Sequence, residues 1–220
     1  MIRITIAMGG IGQRLKCSQK GLSSKAFLKI NGKTLLERLI NNITDVFGND
    51  IEIYLAITNE KQEEELVYQE YLKNVNYKII YNKDRIFDLI KPNTNNLLIF
   101  CDTYMKNNIF ISLYESFLKS KKSQFIALTT NDGIDNVVFE MDENNRLISI
   151  KKGKQIKEIS QVFLFNTDDS NVVYDCNKLN INRFEIIYNH IMKKKDCYVF
   201  NVENDCFNIN TENDLNDIID

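Results

Sequence analysis

The chain has 220 residues, 44% of them hydrophobic, with 28 basic against 30 acidic side chains, one His, one Pro, no Trp and five Cys. A chain of this length buries roughly 70–75% of the surface its unfolded form exposes, so one core forms without disulfide or metal staples. A formal net charge of −2 provides no bulk positive field, which argues against nucleic acid as the organising partner.

The cysteines Cys17, Cys101, Cys176, Cys197 and Cys206 are odd in number and widely spaced, with no C-x-x-C pair. That pattern argues against a zinc site or a disulfide framework and for reduced thiols. No apolar run approaches about 18 residues, so a soluble, cytoplasmic protein without membrane contact is expected. His190 sits beside Phe184, Ile187 and Ile191 at helical spacing, the pattern of a packed or surface imidazole. Ser-His-Asp, Cys-His and multi-His chemistries are therefore poor fits.

In chain order, strands are expected near 2–8, 51–57, 76–81, 97–101 and 123–129, alternating with helices after Thr34, over 60–73 and over 109–119. That alternation is the signature of β-α-β units and a mainly parallel sheet. Thr34-x-x-Glu37 reads as a capping box, and Leu35, Leu36, Leu39, Ile40 and Ile43 form the apolar face behind it. Beyond residue 130 the short alternating runs 136–141, 146–151 and 160–166 predict an antiparallel excursion. A helix near 182–195, a strand near 196–202 and a last helix capped by Thr211 close the chain. With no Gly/Ser/Pro-rich linker and no repeat, the fold class expected is α/β. It is a single Rossmann-like domain over 1–220, with a central mixed, mainly parallel sheet flanked by helices and a small antiparallel excursion.

The exit from the first strand, Ala7-Met8-Gly9-Gly10-Ile11-Gly12-Gln13-Arg14-Leu15, carries the strongest chemical signal. Three glycines in four positions let a backbone turn sharply and present successive N–H groups to an anion, phosphate above all. A tight connection between elements uses the same residues. The dinucleotide fingerprint needs a third spaced glycine where Leu15 stands, and no acidic residue ends the second strand, where Thr58-Asn59 follow Ile57. Both points count against a nucleotide-dependent oxidoreductase. Gly32-Lys33-Thr34 ends like a Walker A loop, but Phe27 occupies the position of its first glycine. Arg14 and Lys25 would place two fixed cations around a polyphosphate held on the amides of the loop.

The string G-G-x-G-x-R-L followed by K-x-x-L-x-I-x-G-K-x-L-L-E resembles the N-terminal signature of the sugar-phosphate nucleotidyltransferases, a family that includes sugar-1-phosphate nucleotidyltransferases and phosphocholine cytidylyltransferase. The resemblance implies that Ala7, Met8, Gly9, Gly10 and Gly12 line the triphosphate of an NTP and that Arg14 and Lys25 neutralise it. Ser24 stands where the family usually has Pro. Asn96 to Thr103 resembles the family strand whose terminal Asp binds Mg²⁺, with Asp102 retained and Cys101 in place of Gly. A turn-capping Asp fits position 102 as well. The run Phe207 to Leu215 resembles the closing motif that supplies a second metal contact, with Asn208 and Asn210 where many members carry a carboxylate. Lys152 takes the position of an acceptor-binding Lys and Lys151 replaces its Glu partner, though basic residues on an exposed strand are more often solvated surface. Asn82, Asp84 or Asp88 would face a base or ribose, or simply belong to a surface loop.

The implied function is Mg²⁺-dependent transfer of NMP from an NTP to a phosphorylated small molecule, most naturally a sugar 1-phosphate of surface-polysaccharide synthesis, with release of pyrophosphate. The implied halves are an NTP-binding one over 1–130 and an acceptor-binding one over 131–220, with any homodimer contact arising from the domain itself. An anionic acceptor needs no general base, which suits a chain with one His. Lys25→Ala or Asp102→Ala is expected to abolish pyrophosphate release with the fold intact. The competing reading is a catalytically impaired nucleotide-binding regulator on the same fold, motivated by the changes at Cys101, Lys151, Asn208 and Asn210.

Overall fold

The computed structural model describes residues 2–10, 12–48, 51–82, 85–105, 107–129, 136–144, 146–153, 157–181, 186–191, 197–201 and 206–219. The chain opens with β1 (Ile2–Ala7), short helical turns at Gln13–Leu15, Cys17–Lys20 and Lys25–Phe27, and a hairpin of β2 (Lys29–Ile30) and β3 (Lys33–Thr34). Then come α1 (Leu35–Phe47), β4 (Ile53–Ile57), α2 (Glu60–Val67), β5 (Tyr77–Tyr81), β6 (Asn95–Phe100), β7 (Thr103–Met105), α3 (Asn107–Ser120) and β8 (Ser123–Thr129). The second half holds β9 (Asn136–Met141), β10 (Leu147–Gly153), β11 (Lys157–Phe165), α4 (Thr167–Lys178), a π-helical turn at Ile186–Ile191, β12 (Cys197–Asn201), β13 (Cys206–Asn208) and α5 (Glu212–Ile219).

Nine strands among the described residues form one sheet in the order β5-β4-β1-β6-β11-β8-β13-β7, with β12 also paired to β8. β5, β4, β1 and β6 run parallel, whereas β11 lies antiparallel between β6 and β8. β9 and β10 form a separate antiparallel pair. The expected α/β architecture with its antiparallel excursion is thus the one observed, except that the run near 160–166 joins the main sheet.

The central strands are buried on both faces, which is why β6 reads as an unbroken apolar run rather than an alternation. Ile4, Ile6, Leu97, Ile99 and Leu164 face Leu36, Leu39, Ile40 and Ile43 of α1 and Phe110 and Leu113 of α3. Each such side chain contributes about 1.5–3 kcal/mol by leaving water. On the other face Leu98, Phe163, Phe165, Val173 of α4 and Phe87 pack together, with Phe87 edge-on to Phe163 at 5.5 Å and to Phe165 at 5.6 Å.

Thr34 caps α1 as its sequence predicts, its hydroxyl oxygen accepting from Glu37 N at 3.0 Å. Three helical stretches differ from expectation. The helix near 60–73 stops at Val67, and a separate turn at Glu70–Leu72 follows. Leu66 and Leu72 are both buried, yet a six-residue spacing puts them on different faces of a continuous helix. α4 is unexpected, because its apolar residues are few and consecutive. Asn166 starts it by accepting from Asp169 N at 2.8 Å, with Asp168 and Asp169 in the first turn. Of the helix expected near 182–195, Ile186–Ile191 is a π-helical turn, while 182–185 and 192–195 lie outside the described residues. Among the described residues no helix is long and apolar enough to cross a membrane.

Candidate functional site

The site begins where β1 leaves the sheet. Cys101 N donates to Ala7 O at 2.9 Å and Met8 N to Ala56 O at 2.8 Å, so these two residues anchor the loop to both neighbouring strands. Their side chains are buried. Ala7 and Met8, expected to line a ligand, are placed at the root of the loop, with the Met8 amide bonded within the sheet.

Beyond them the chain is shaped by close approach. A Cβ on Gly9 would stand 3.0 Å from Thr58 Cγ2, and one on Gly10 would make ordinary contact with Lys25 Cδ at 3.6 Å. Gly12 has φ +65°, and a Cβ there would lie 2.4 Å from Cys17 Sγ. Only glycine tolerates both demands at position 12. The loop is closed from below by Lys25 N, which donates to Gly10 O at 3.0 Å.

Lys25 opens a helical turn whose N-cap, Ser24, accepts from Ala26 N at 2.9 Å. Its ammonium lies 2.9 Å from Asp102 Oδ2 and 2.6 Å from Asn210 Oδ1. Both members of the ion pair are buried. Three distant stretches of chain are tied at one point: the turn after the glycine loop, the end of β6, and the segment entering α5. Asp214 holds the last of these, its Oδ2 accepting from Asn210 N at 2.8 Å and Thr211 N at 2.7 Å. Thr211 caps α5 in return, at 3.4 Å to Asp214 N.

Asp102 follows β6, and its carbonyl accepts from Ile209 N at 2.8 Å. Asn208 stands across from Thr103 in the β13–β7 pair. Asp102 Oδ1 and Asn208 Oδ1 are both buried without a hydrogen-bond partner. Asp102, tied to Lys25, and Asn208, two residues before Asn210, thus each leave one acceptor oxygen unused, and such oxygens are the donor chemistry a hard cation takes. Among the described residues no three His, Cys, Asp or Glu side chains group to hold a metal. Burial pushes the thiols of Cys17 and Cys101 up from their ordinary value, so both flank the site as neutral groups.

The remaining expected residues are less concentrated. Arg14 is exposed on the turn Gln13–Leu15. Asn82 directly follows β5, where its amide N donates to Ile57 O at 2.8 Å and its side chain to Arg85 O at 3.2 Å. Asp88 lies 3.4 Å from Arg85, and Asp84 is outside the described residues. Lys152 pairs with Val137 in the β9–β10 sheet, and its side chain is outside the described part. A cavity of about 720 Å³ lined by Ile2, Phe47, Asn95, Tyr114 and Asp168 opens at the opposite end of the sheet. The carboxyl ends of parallel strands are where open α/β sheets bind ligands, so the glycine-loop end is the better candidate despite that cavity.

Sequence reasoning singled out Gly9, Gly10, Gly12, Lys25, Asp102 and Asn208, and the fold gathers them from three distant stretches. Asp214, Thr58 and the buried Gln62 are not among them; Asn59-x-x-Gln62 marks a helix start but says nothing of the Gln62 side chain's bond to Met8 O.

No protein-family model and no curated protein matches the sequence. Solved structures do match its shape. A structure described as a glucose-1-phosphate thymidylyltransferase of Bacillus anthracis superposes with a TM-score of 0.79 at 15% identity, over 100% of this chain and 94% of the other. The CTP:phosphocholine cytidylyltransferase of Streptococcus pneumoniae gives 0.75 at 18%, over 99% and 97%. A UDP-glucose pyrophosphorylase of Acinetobacter baumanii gives 0.76 at 10%, over 100% and 92%. This chain shares its fold with nucleotidyltransferases. The match runs end to end, so the correspondence includes the glycine loop at one terminus and the segment entering α5 at the other.

Proposed function

We propose that the protein is a nucleotidyltransferase that moves NMP from an NTP to a phosphorylated small molecule, a sugar 1-phosphate being the leading acceptor class. The carrying observation is the Lys25–Asp102–Asn210 junction beside the glycine loop, with Asp102 Oδ1 and Asn208 Oδ1 left bare. The fold and the motif resemblance support the same reading.

In the reaction an acceptor phosphate oxygen attacks the α-phosphorus in line. The new P–O bond forms as the bond from the α-phosphorus to the bridging oxygen breaks, and pyrophosphate carries away the electron pair. The nucleophile is already an anion at neutral pH, so no protein base is required. The chain's work is to hold two polyanions together and offset their charge. Gly9, Gly10 and Gly12 keep the loop slim enough for close approach to the phosphates, Arg14 supplies an exposed cation, and Lys25 anchors the junction beneath them. The donor set fits Mg²⁺: Asp102 Oδ1 and Asn208 Oδ1 would hold it, completed by nucleotide oxygens and water. When bound, that cation supplies charge neutralisation to the triphosphate.

The test is a pyrophosphate-release screen of four NTPs against phosphorylated sugars, alcohols and amino acids, with and without Mg²⁺. Release with one base and one acceptor class, dependent on Mg²⁺, is the expected result. Nucleotide binding without release from any pair would instead identify a regulator. Absence of nucleotide binding would overturn both.

A further inference from the structure

Gln62 is a polar side chain with 0% exposure, and the reaction gives it nothing to do. It lies in the first turn of α2, where its backbone N donates to Asn59 Oδ1 at 3.1 Å. Its side-chain Nε2 donates to Met8 O at 2.8 Å, while its Oε1 accepts from Thr58 N at 2.7 Å and Thr58 Oγ1 at 3.2 Å. The backbone partners dictate the amide's orientation, since a carbonyl needs the NH₂ end and an N–H needs the oxygen.

The arrangement has a specific meaning in the sheet. Met8 N donates to Ala56 O at 2.8 Å, and in a parallel ladder the Met8 carbonyl would then accept from Thr58 N. Gln62 stands between those two groups and bonds to both. Its amide reproduces a peptide group and keeps β1 and β4 one amide apart at the residue where the glycine loop starts. Thr58, held by the same amide, is the residue whose methyl carbon would stand 3.0 Å from a Cβ on Gly9.

We infer that Gln62 is a positioning residue, a side-chain wedge that sets the glycine loop's distance from Thr58 and so shapes the crevice for the triphosphate. This role rests on the nucleotidyltransferase reading. Removing the wedge frees the ladder to close directly, Thr58 N to Met8 O, drawing Gly9 toward a threonine methyl that already leaves too little room for a Cβ there. The loop then stands where its amides no longer match the phosphates.

The test compares wild type, Gln62→Met, which keeps volume and loses both bonds, and Gln62→Glu, which keeps the acceptor and loses the donor to Met8. Leu66→Ala on the same helix serves as a control that destabilises without touching the loop. Titration calorimetry with Mg·NTP is expected to show Kd raised about tenfold or more in both Gln62 variants, the loss of one to two hydrogen bonds' worth of positioning. Kd should be unchanged in Leu66→Ala at a temperature where all are folded, and the acceptor KM unchanged throughout. Equal Kd in wild type and Gln62→Met, with only a lower Tm, would overturn the wedge and leave the functional reading standing. A wild type that binds no NTP would overturn that reading. The wedge is then judged by amide hydrogen exchange in the free protein. Faster exchange in Gln62→Met at Gly9 and Gly10, with β6 unchanged, supports it, and uniform exchange overturns it.

Discussion

The sequence motifs make Lys25 and Asp102 candidates whose loss would leave the fold intact, and their burial changes that part of the expectation. An ion pair with side chains 9% and 11% exposed has given up most of its water, so deleting one partner strands the other charge. Asp102→Ala or Lys25→Ala is expected to lose about 3 kcal/mol of stability as well as all pyrophosphate release. The double replacement Lys25→Met with Asp102→Leu should be equally inactive but recover most of the stability, because no charge remains buried. Urea denaturation distinguishes the cases; singles as stable as wild type would show that the pair is solvated in solution. Nearby, Cys17 and Cys101 give a pH signature. Burial raises both thiols above their ordinary value of 9.0, so the folded chain keeps protons that the unfolded chain releases. Their contribution is complete below pH 9 and is lost as pH rises through the folded values. Unfolding free energy should fall above pH 9, and Cys101→Ala should flatten that fall; an identical slope in the variant would contradict it. Native Cys17, Cys101, Cys176 and Cys206, all buried, should resist thiol reagents at pH 8 until the chain unfolds.

At the level of elements, legibility followed the kind of force that makes each one. β1, β4, β6 and α1 were readable because period and cap agree along a local stretch: Thr34 starts α1, and its apolar stripe is the face that is buried. α4 was not, because Val172, Val173 and Tyr174 are adjacent rather than spaced and its Asp and Asn residues suit a loop. It forms because Asn166 caps it and Val173 and Cys176 close the second core. If the cap supplies what propensity lacks, Asn166→Ala should cost about 1 kcal/mol by thermal unfolding. A change within a few tenths would mean tertiary packing alone holds α4. β7 and β13 are three residues each, too short for any periodicity, and exist because each supplies the other's ladder partners. Gln62 escaped for a third reason: its role is set by the approach of β1, more than fifty positions earlier, and no local pattern carries that information.

Across the whole molecule, the site's parts lie 77 and 185 residues apart in sequence along the bonds from Lys25 to Asp102 and Asn210. The glycine loop comes from the first ten or so residues of the chain, and Asn208, Asn210 and Asp214 come from the last. A short helix packed at the edge of a sheet ordinarily opens at less cost than the domain as a whole. Here such opening would also dismantle the lysine junction, because loss of α5 removes Asp214, which orients Asn210. A ligand seated on the loop and on Asp102 and Asn208 must therefore pull on the C-terminal segment as strongly as on the loop. At a hundred times Kd, Mg·NTP should stabilise the protein by about 2.7 kcal/mol, and amide exchange should slow together in residues 8–12, β13 and α5. Protection confined to the loop would show that β13 and α5 are packed against the site without taking part in it. Slowing in all three would mean that the glycine loop, β13 and α5 are closed on one another by the nucleotide.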